Sequence, residues 1–454
     1  MSNVVHMVVG GGLVGLATAT LLARQRKAVT LVEAAPECGG LLRSVRDQRD
    51  LHYDYGTHIP CLTGQTELDE ILYGPAEDLG HNWHRIHKIA PMARHGGSWN
   101  QGGSLLDAHV MPADTYERGV EELLARKEPA ARDTDLAAFL NNSIGPTFAE
   151  ELVGPVLQKL YGRTAAELVP ASSIFYFGLN RVTILDRERT NELRQDPVFA
   201  AKLACHTLDD YYAWDGNRQV DAYLYPRGGR GCGYWVDCLV EQARAAGVEI
   251  LTGTRIESMS QQDGRITEVQ IAGEAGPRQP SHVFWSAPPA LVRRALGHGI
   301  SPPATTFLTT SLHHLSFDKA LLVDRPEYIW NWEPCHKTFR VTLYPNLDPD
   351  SPQPRLTAEV LSQPGEEPLP EDADVLREMQ EIGIVADGAQ ILSTTRQVLK
   401  NTFPVPDSTS VAEAAAHVEA LADIPNLRLV GRYSGRKWLQ NEVLVDAFEQ
   451  VAQL

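Results

Sequence analysis

The first apolar segments of the chain follow the pattern of a strand, a helix and a second strand. Val4–Val9 is a β-branched run typical of a buried parallel strand. Three glycines follow, and Leu13–Arg24, rich in alanine and leucine, predicts a helix. Ala28–Val32 predicts a second buried strand, which ends at Glu33. The pattern therefore predicts a βαβ unit at the start of an α/β domain.

The same stretch, Val4–Ala23, is almost free of charge and has the length of a membrane span or a secretory signal. No basic segment precedes it, and no small-residue cleavage site stands where a signal needs one. The glycines that interrupt it favour the βαβ interpretation. We therefore expect no membrane span.

Later segments predict further elements. Thr147–Leu160 is an amphipathic pattern that predicts a helix ending at Gly162. Phe339–Tyr344 alternates as a strand should. Two proline-rich stretches, 349–354 and 364–370, predict surface loops.

Composition narrows the class of protein. The chain has 454 residues, which suggests several domains, and its formal charge is −17, from 41 Lys+Arg against 58 Asp+Glu. That charge argues against binding to nucleic acid or to an anionic membrane, but a local basic pocket could still hold a small anion. The six cysteines form no C-x-x-C pair, so we expect neither a disulfide framework nor a zinc ribbon, and a reducing, cytoplasmic location.

The glycines between the first strand and helix form a phosphate-binding pattern. Gly10, Gly12 and Gly15 make G-x-G-x-x-G, in which the first permits a tight turn, the second admits a pyrophosphate and the third lets helix and strand pack. Glu33 stands 33 − 15 = 18 residues after the last glycine, at the place of an acid that binds ribose hydroxyls and repels a ribose phosphate. A dinucleotide other than NADP is predicted. The alternative is a glycine-rich turn in some other βαβ unit.

The residues after Glu33 carry a family resemblance. Glu33, Gly39-Gly40 and Arg43-Ser44 make the pattern E-x(5)-GG-x-x-R-S. It resembles the second flavin motif of the FAD-dependent amine oxidase and protoporphyrinogen oxidase superfamily, to which UDP-galactopyranose mutase belongs. The resemblance implies FAD, with the glycine backbone against the dinucleotide and Arg43 neutralising a phosphate.

Segments farther along resemble the same superfamily. Tyr53–His58 resembles its D-x-G-x-H segment beside the isoalloxazine, and Leu224–Gly229 resembles the return to the flavin domain. The strand at Arg255-Ile256 would contact adenine, and His282–Pro288 resembles a strand ending beside the cofactor.

The C-terminal segment is the most specific. Asn426–Arg432 predicts a strand ending at glycine, and Trp438–Val443 opens a final helix, Leu444–Gln453. In this superfamily the N-terminus of that helix points at the flavin N1–C2=O edge, where it favours the reduced anion. The pair Gly431-Arg432 resembles the galactopyranose mutase branch.

The resemblance implies a Rossmann-type FAD-binding domain of the glutathione-reductase-like kind, class α/β, with an interleaved α+β substrate domain. The flavin domain would comprise residues 1–70, 222–300 and 400–454, and the substrate domain residues 71–221 and 301–399. No cysteine lies near the C-terminal motif, so FAD would be non-covalent. The residues expected to bind FAD are Gly10, Gly12, Leu13, Val14, Gly15, Glu33, Ala34, Gly39, Gly40, Leu41, Leu42, Arg43, Gly56, Thr57, His58, Ile256, Ala287, Gly431, Arg432, Leu439, Gln440, Asn441 and Val443.

Three residues are candidates for catalysis. His58 could bond the flavin or act as acid or base, or be a structural histidine. Arg340 could bind an anionic group through its fork, or face solvent on an exposed strand. Trp438 could form one wall of an aromatic slot, or pack under the last helix. The pair His313-His314 predicts no metal site, because adjacent strand residues point to opposite faces.

The predicted function is an FAD-dependent oxidoreductase that transfers a hydride from a small organic substrate to flavin N5. One alternative is a non-redox sugar-nucleotide mutase, and another is a non-catalytic flavin-binding scaffold. The mutases carry an arginine on a Y-R-[ST]-L segment and a Y-L-D triplet, whereas the segments aligned here are Leu308–Phe317, without arginine, and Trp438–Gln440. Arg340 and Arg432 could replace the missing charges. The oligomeric state stays open, a homodimer included.

Overall fold

The computed structural model describes residues 5–100, 103, 105–132, 134–213, 222–300, 304–366 and 369–454. Its strands are β1 (Val5–Val9), β2 (Ala28–Val32), β3 (Ser44–Arg46), β4 (His52–Asp54), β5 (Trp83–Ile86), β6 (Met92–His95), β7 (Ser98–Asn100), β8 (Leu106–Asp107), β9 (Val182–Thr183), β10 (Tyr223–Pro226), β11 (Glu249–Leu251), β12 (Ile256–Gln262), β13 (Arg265–Ile271), β14 (Pro280–Trp285), β15 (Phe307–Phe317), β16 (Tyr328–Asn331), β17 (Thr338–Leu343), β18 (Arg355–Ser362), β19 (Ile391–Pro404) and β20 (Leu427–Leu429).

Its helices are α1 (Leu13–Arg24), α2 (Thr66–Tyr73), α3 (Leu79–Asn82), α4 (Ala113–Ala125), α5 (Leu136–Ser143), α6 (Pro146–Phe148), α7 (Gly154–Tyr161), α8 (Ser172–Tyr176), α9 (Arg187–Leu193), α10 (Pro197–Ala200), α11 (Leu208–Ala213), α12 (Gly231–Ala245), α13 (Pro289–Ala295), α14 (Tyr344–Leu347), α15 (Asp372–Glu381), α16 (Ser408–Glu419) and α17 (Gln440–Ala452).

A parallel five-stranded sheet, which we call the first sheet, has the order β11-β2-β1-β14-β20. Its strands come from three separate stretches of the chain, and Val9 pairs with both Val32 and Trp285. Helices α1, α12 and α17 share one apolar core against this sheet, and the β12–β13 hairpin and α13 share another. Because parallel strands end at one edge, the loops after β1, β2, β14 and β20 meet there.

The apolar stretch at the start of the chain is therefore divided into β1 and α1, as the pattern predicts, and β2 also has its predicted bounds. Among the described residues, no helix combines the length and the apolar character needed to cross a membrane.

A mixed seven-stranded sheet, the second sheet, has the order β19-β15-β18-β17-β16-β6-β7. Helices α4 to α8 pack on part of it, and α15 covers the opposite face. The strand predicted at Phe339–Tyr344 is present as β17, and both β17 and β18 are buried along their whole length. Strand β19 extends to Pro404 and so carries the second sheet past the domain boundary predicted at residue 400.

The helix predicted at Thr147–Leu160 is present with an irregular centre. It runs from α6 through a π-helical turn, Ala149–Val153, into α7, and ends at Gly162 with φ +60°. Pro155 has no N–H to donate to the preceding turn, which accounts for the wider turn there.

Candidate functional site

The loop between β1 and α1 uses its glycines for different reasons. At Gly10, φ is +100°, and a Cβ would lie 2.2 Å from Ser286 Oγ. A Cβ on Gly15 would lie 1.8 Å from the Gly10 carbonyl oxygen. At Gly12, by contrast, nothing lies within 4 Å of the Cβ position. Gly12 therefore borders open space at the N-terminus of α1, where free N–H groups favour an anion.

The carboxylate of Glu33 closes this loop from the end of β2. It accepts hydrogen bonds from the amides of Gly11 (2.6 Å) and Ala35 (2.7 Å). The Thr254 amide donates to the Glu33 carbonyl at 3.2 Å, so the segment that leads into Ile256 runs beside Glu33. The residues predicted to hold the adenosine half of the cofactor are thus brought together.

The second glycine motif lies against the first. The Gly39 amide donates to the Gly11 carbonyl at 2.8 Å, and φ is +123° at Gly39. Arg43 donates through Nε to the Cys38 carbonyl at 3.0 Å and pairs through Nη1 with Glu37. Its Nη2 is buried and has no hydrogen-bond partner in the described part of the chain. A buried guanidinium nitrogen without an acceptor fits a phosphate oxygen.

The C-terminal motif reaches the same edge. A Cβ on Gly431 would lie 3.9 Å from Val14, which places the end of β20 beside the start of α1. Helix α17 begins at Gln440, whose Nε2 is buried without a partner among the described residues. Leu439, immediately before this helix, is 45% exposed. An exposed apolar side chain next to an amide group that lacks a hydrogen-bond partner is compatible with a cofactor that has an apolar face and polar atoms at its edge.

Leu41 and Ala287 lie at the same edge: Leu41 is exposed in the short 3-10 turn Gly40–Leu42, and Ala287 lies two residues after the end of β14. The remaining residues predicted to bind FAD lie in these same segments: Leu13, Val14, Ala34, Leu42, Asn441 and Val443.

The loop Gly56–His58 lies between the two sheets. Gly56 has φ +93°, and the Thr57 amide donates to Glu359 at 2.9 Å. The hydroxyls of Thr57 and Thr342 are 2.6 Å apart. The Gly56–His58 loop therefore packs against side chains of β17 and β18.

Arg340 does not face solvent, which was one of the two alternatives left open by the sequence. It is buried, and its fork is filled by Glu359, with Nε–Oε1 at 2.6 Å and Nη2–Oε2 at 2.7 Å. Its Nη1 donates to the Tyr176 hydroxyl at 3.2 Å. The reason is the covered sheet: a cation on a strand buried on both faces needs a buried counter-ion. Arg340 therefore cannot clamp an anionic group with its fork while Glu359 holds it.

His58 lies close to two arginines. Burial lowers the pKa of His58 to about 4, and the positive charges of Arg340 and Arg432 contribute to the same direction. The imidazole is therefore neutral at pH 7 and can accept or donate a hydrogen bond.

Arg432 and Trp438 form a pair at the rim. Arg432 Nε donates to the Trp438 carbonyl at 2.9 Å, and the guanidinium carbon lies 5.2 Å from the centre of the indole ring. In the described part of the chain, no carboxylate forms an ion pair with Arg432. Trp438 is half-buried and lies two residues before the start of α17.

Sequence reasoning missed two groups. Glu359 was missed because it lies in an apolar strand 19 residues from Arg340, and only a charge inside such a run could have signalled it. Tyr176 was missed too. It is 39% exposed and packs edge-on against Phe177 (5.3 Å) and Trp330 (6.1 Å), so it presents an aromatic wall next to Arg340.

The histidine pair behaves as its strand geometry predicts. His313 bonds Asp372 at 2.6 Å, whereas His314 bonds Thr357 (2.8 Å) and Gln397 (3.0 Å). The two side chains therefore have separate partners. Another group, His84 with Asp348 and Asp350, has carboxylates near one imidazole, but His84 and Arg227 already pair with them.

Comparison with known proteins agrees with this geometry. A family model described as an NAD(P)-binding Rossmann-like domain matches residues 8–72. No curated protein matches the chain by sequence. Among solved structures, a reduced UDP-galactopyranose mutase superposes with a TM-score of 0.73 at 14% identity, over 99% of this chain and 95% of that one.

Two further solved structures are similar over their whole length. A proposed protoporphyrinogen oxidase from Exiguobacterium sp. 255-15 gives a TM-score of 0.68 at 18% identity, over 100% of this chain and 99% of that one. A double mutant of putrescine oxidase gives 0.60 at 14% identity, over 99% and 98%. The chain therefore shares the fold of these three solved structures, which is the fold class that its motifs predict.

Proposed function

We propose that this protein binds FAD non-covalently and is an oxidoreductase that transfers a hydride from a small organic substrate to the flavin. The open space at Gly12, the unpartnered Arg43 nitrogen and the unpartnered Gln440 amide support the cofactor. When bound, FAD supplies a hydride acceptor at N5, and the protein contributes orientation and electrostatics.

The choice between the reactions rests on one observation: two nitrogens of the Arg340 guanidinium, Nε and Nη2, are already bonded to Glu359. A mutase acting on a sugar nucleotide needs cations for a diphosphate. Here Glu359 neutralises Arg340. The Leu308–Phe317 segment offers no arginine either. A redox reaction on a substrate without a diphosphate fits this site better.

The protein's own groups have distinct parts in this proposal. The neutral His58 holds or accepts a proton at its ring nitrogen. The rings of Tyr176 and Trp438 orient the substrate and exclude water. A small-molecule substrate and a cytoplasmic location, with a homodimer as an open arrangement, complete the proposal.

A second candidate is the sugar-nucleotide mutase, which Arg432 favours because no carboxylate among the described residues pairs with it. A flavin-binding scaffold without turnover is the third. The three differ in what the bound flavin does, so one experiment separates them.

The experiment is anaerobic mixing of the FAD-loaded protein with a panel of amines, amino acids, hydroxy acids and UDP-galactopyranose. An oxidoreductase loses its yellow absorbance with at least one redox substrate and recovers it when air is admitted. Conversion of UDP-galactopyranose only after dithionite reduction would instead establish the mutase. No response to either would leave the scaffold and contradict the main proposal.

A further inference from the structure

A buried ion pair connects the second sheet to the loop that faces the proposed flavin site. Arg340 on β17 and Glu359 on β18 are cross-strand neighbours, and their side chains are only 6% and 2% exposed. Their two hydrogen bonds, 2.6 and 2.7 Å long, form a complete fork. Such a pair is rigid because each charge would be costly to bury alone.

The carboxylate of Glu359 also holds the loop. Its Oε1 accepts from the Thr57 amide at 2.9 Å and from the Thr57 hydroxyl at 3.2 Å. A Cβ on Gly56 would lie 2.7 Å from Oε2, so only glycine lets the backbone come this close. The loop is therefore seated on the carboxylate itself.

The same pair reaches the aromatic wall on its other side. Arg340 Nη1 donates to the Tyr176 hydroxyl at 3.2 Å, and its guanidinium carbon lies 5.3 Å from the Trp330 ring centre. One neutralised pair thus links a flavin-facing loop to a substrate-facing side chain. Such a link fixes their separation without adding net charge beside the flavin.

We infer that Glu359 is a positioning residue: with Arg340 it fixes the Gly56–His58 loop, and through Arg340 it fixes Tyr176, relative to the bound isoalloxazine. This inference rests on the proposed function, because FAD is what the loop would face. Glu359 need not contact FAD or substrate in this role.

The test is Glu359→Gln, which keeps the shape of the side chain, removes its charge and leaves Arg340 without a counter-ion. We expect the FAD dissociation constant to rise at least about tenfold, because the loop would no longer be held in one position before FAD binds. We also expect the visible circular dichroism of bound flavin to change and the Thr57 amide to exchange faster. A purely structural role would not move the dichroism of the flavin.

A matched control is Glu378→Gln. Glu378 also binds neighbouring backbone, accepting from the Lys337 amide (2.7 Å) and the Thr338 amide (2.9 Å), but it does not touch the Gly56–His58 loop. This variant should keep the FAD affinity and flavin spectrum of the wild type.

If Glu359→Gln does not fold, the double variant Arg340→Met, Glu359→Leu removes both charges and keeps the volume. It should fold and still show the altered dichroism. A folded variant of either kind with FAD affinity within about twofold of wild type and unchanged dichroism would overturn the inference alone. A wild-type protein that binds no FAD would overturn both the inference and the proposed function.

Discussion

At the scale of single residues, Gly12 is a position where a substitution should affect cofactor binding without affecting folding. Gly10 and Gly15 are needed because a side chain would collide with Ser286 or with backbone, whereas a side chain on Gly12 meets open space. No neighbouring atom of the described chain therefore requires glycine at position 12, whereas the proposed cofactor would.

We expect Gly12→Val to fold with an unchanged melting temperature as apoprotein and to lose FAD binding, because the added side chain occupies the place of the pyrophosphate. The measurement is flavin content after incubation with excess FAD, together with the apoprotein melting curve. Gly276→Val is the control, since Gly276 also has open space around its Cβ position and lies on the loop after β13. A Gly12→Val variant that keeps full flavin content would refute the assigned phosphate site.

At the scale of elements, the first turn of helix α12 donates a hydrogen bond to the buried carboxylate of Asp54 on β4. Asp54 Oδ1 accepts from the Cys232 amide (2.7 Å) and the Ser44 hydroxyl (2.7 Å), and Oδ2 accepts from the Tyr225 hydroxyl (2.6 Å). Burial raises the pKa of Asp54. One side chain thus joins β3, β4, β10 and α12.

Asp54→Ala should lower the free energy of unfolding by at least about 2 kcal/mol, because it leaves three buried donors without an acceptor. Asp135→Ala is the comparison, since Asp135 caps the exposed start of α5 through the Ala138 amide at 2.7 Å and should cost only about 1 kcal/mol. Urea denaturation of both variants measures the difference. Equal losses would show that the buried network adds nothing beyond an ordinary cap.

The sequence predicted elements with a strong local pattern and failed where tertiary packing decides. The bounds of β1, α1 and β2 follow from the apolar runs and the glycines between them. The exposure of β17 could not be predicted, because α15 and a loop from elsewhere in the chain cover its two faces. The partner of Arg340 was missed for a similar reason, because a contact between two strands that joins residues 19 positions apart leaves no local spacing to detect.

At the scale of the whole molecule, three histidines lie in surroundings that favour the uncharged imidazole: His6 and His314 are buried, and His58 is half-buried. Burial lowers the pKa of His6, His58 and His314 from 6.5 to about 4. A folded-state pKa below the unfolded value means that the unfolded chain binds more protons between these two values. The contribution of these histidines to the free energy of unfolding is therefore complete above about pH 6.5, and it is lost as the pH falls toward 4.

His314→Gln should reduce the slope of the free energy of unfolding against pH near pH 5, by the amount that corresponds to about one bound proton. The measurement is the free energy of unfolding in urea at a series of pH values from 4.5 to 7, with the slopes of variant and wild type compared. His81→Gln serves as control, because that side chain is 82% exposed and its surroundings change little on unfolding. A slope that His314→Gln leaves unchanged would contradict the assigned burial of a neutral imidazole.

The fold brings residues from both ends and the middle of the chain to one edge of the first sheet. Gly12, Glu33, Arg43, Gly431 and Gln440 approach one another only because β1, β2, β14 and β20 are parallel neighbours. Residues that are distant in sequence thus come together at one proposed dinucleotide site.

The most direct test of this dinucleotide site is titration of the purified apoprotein with FAD, in which binding is measured by calorimetry and by flavin absorbance. We predict saturable binding of one FAD per chain, released on denaturation because no covalent link forms, and no comparable binding of NADP. Protein that stays colourless and takes up no FAD under native conditions would show that this edge of the first sheet is not a site for FAD.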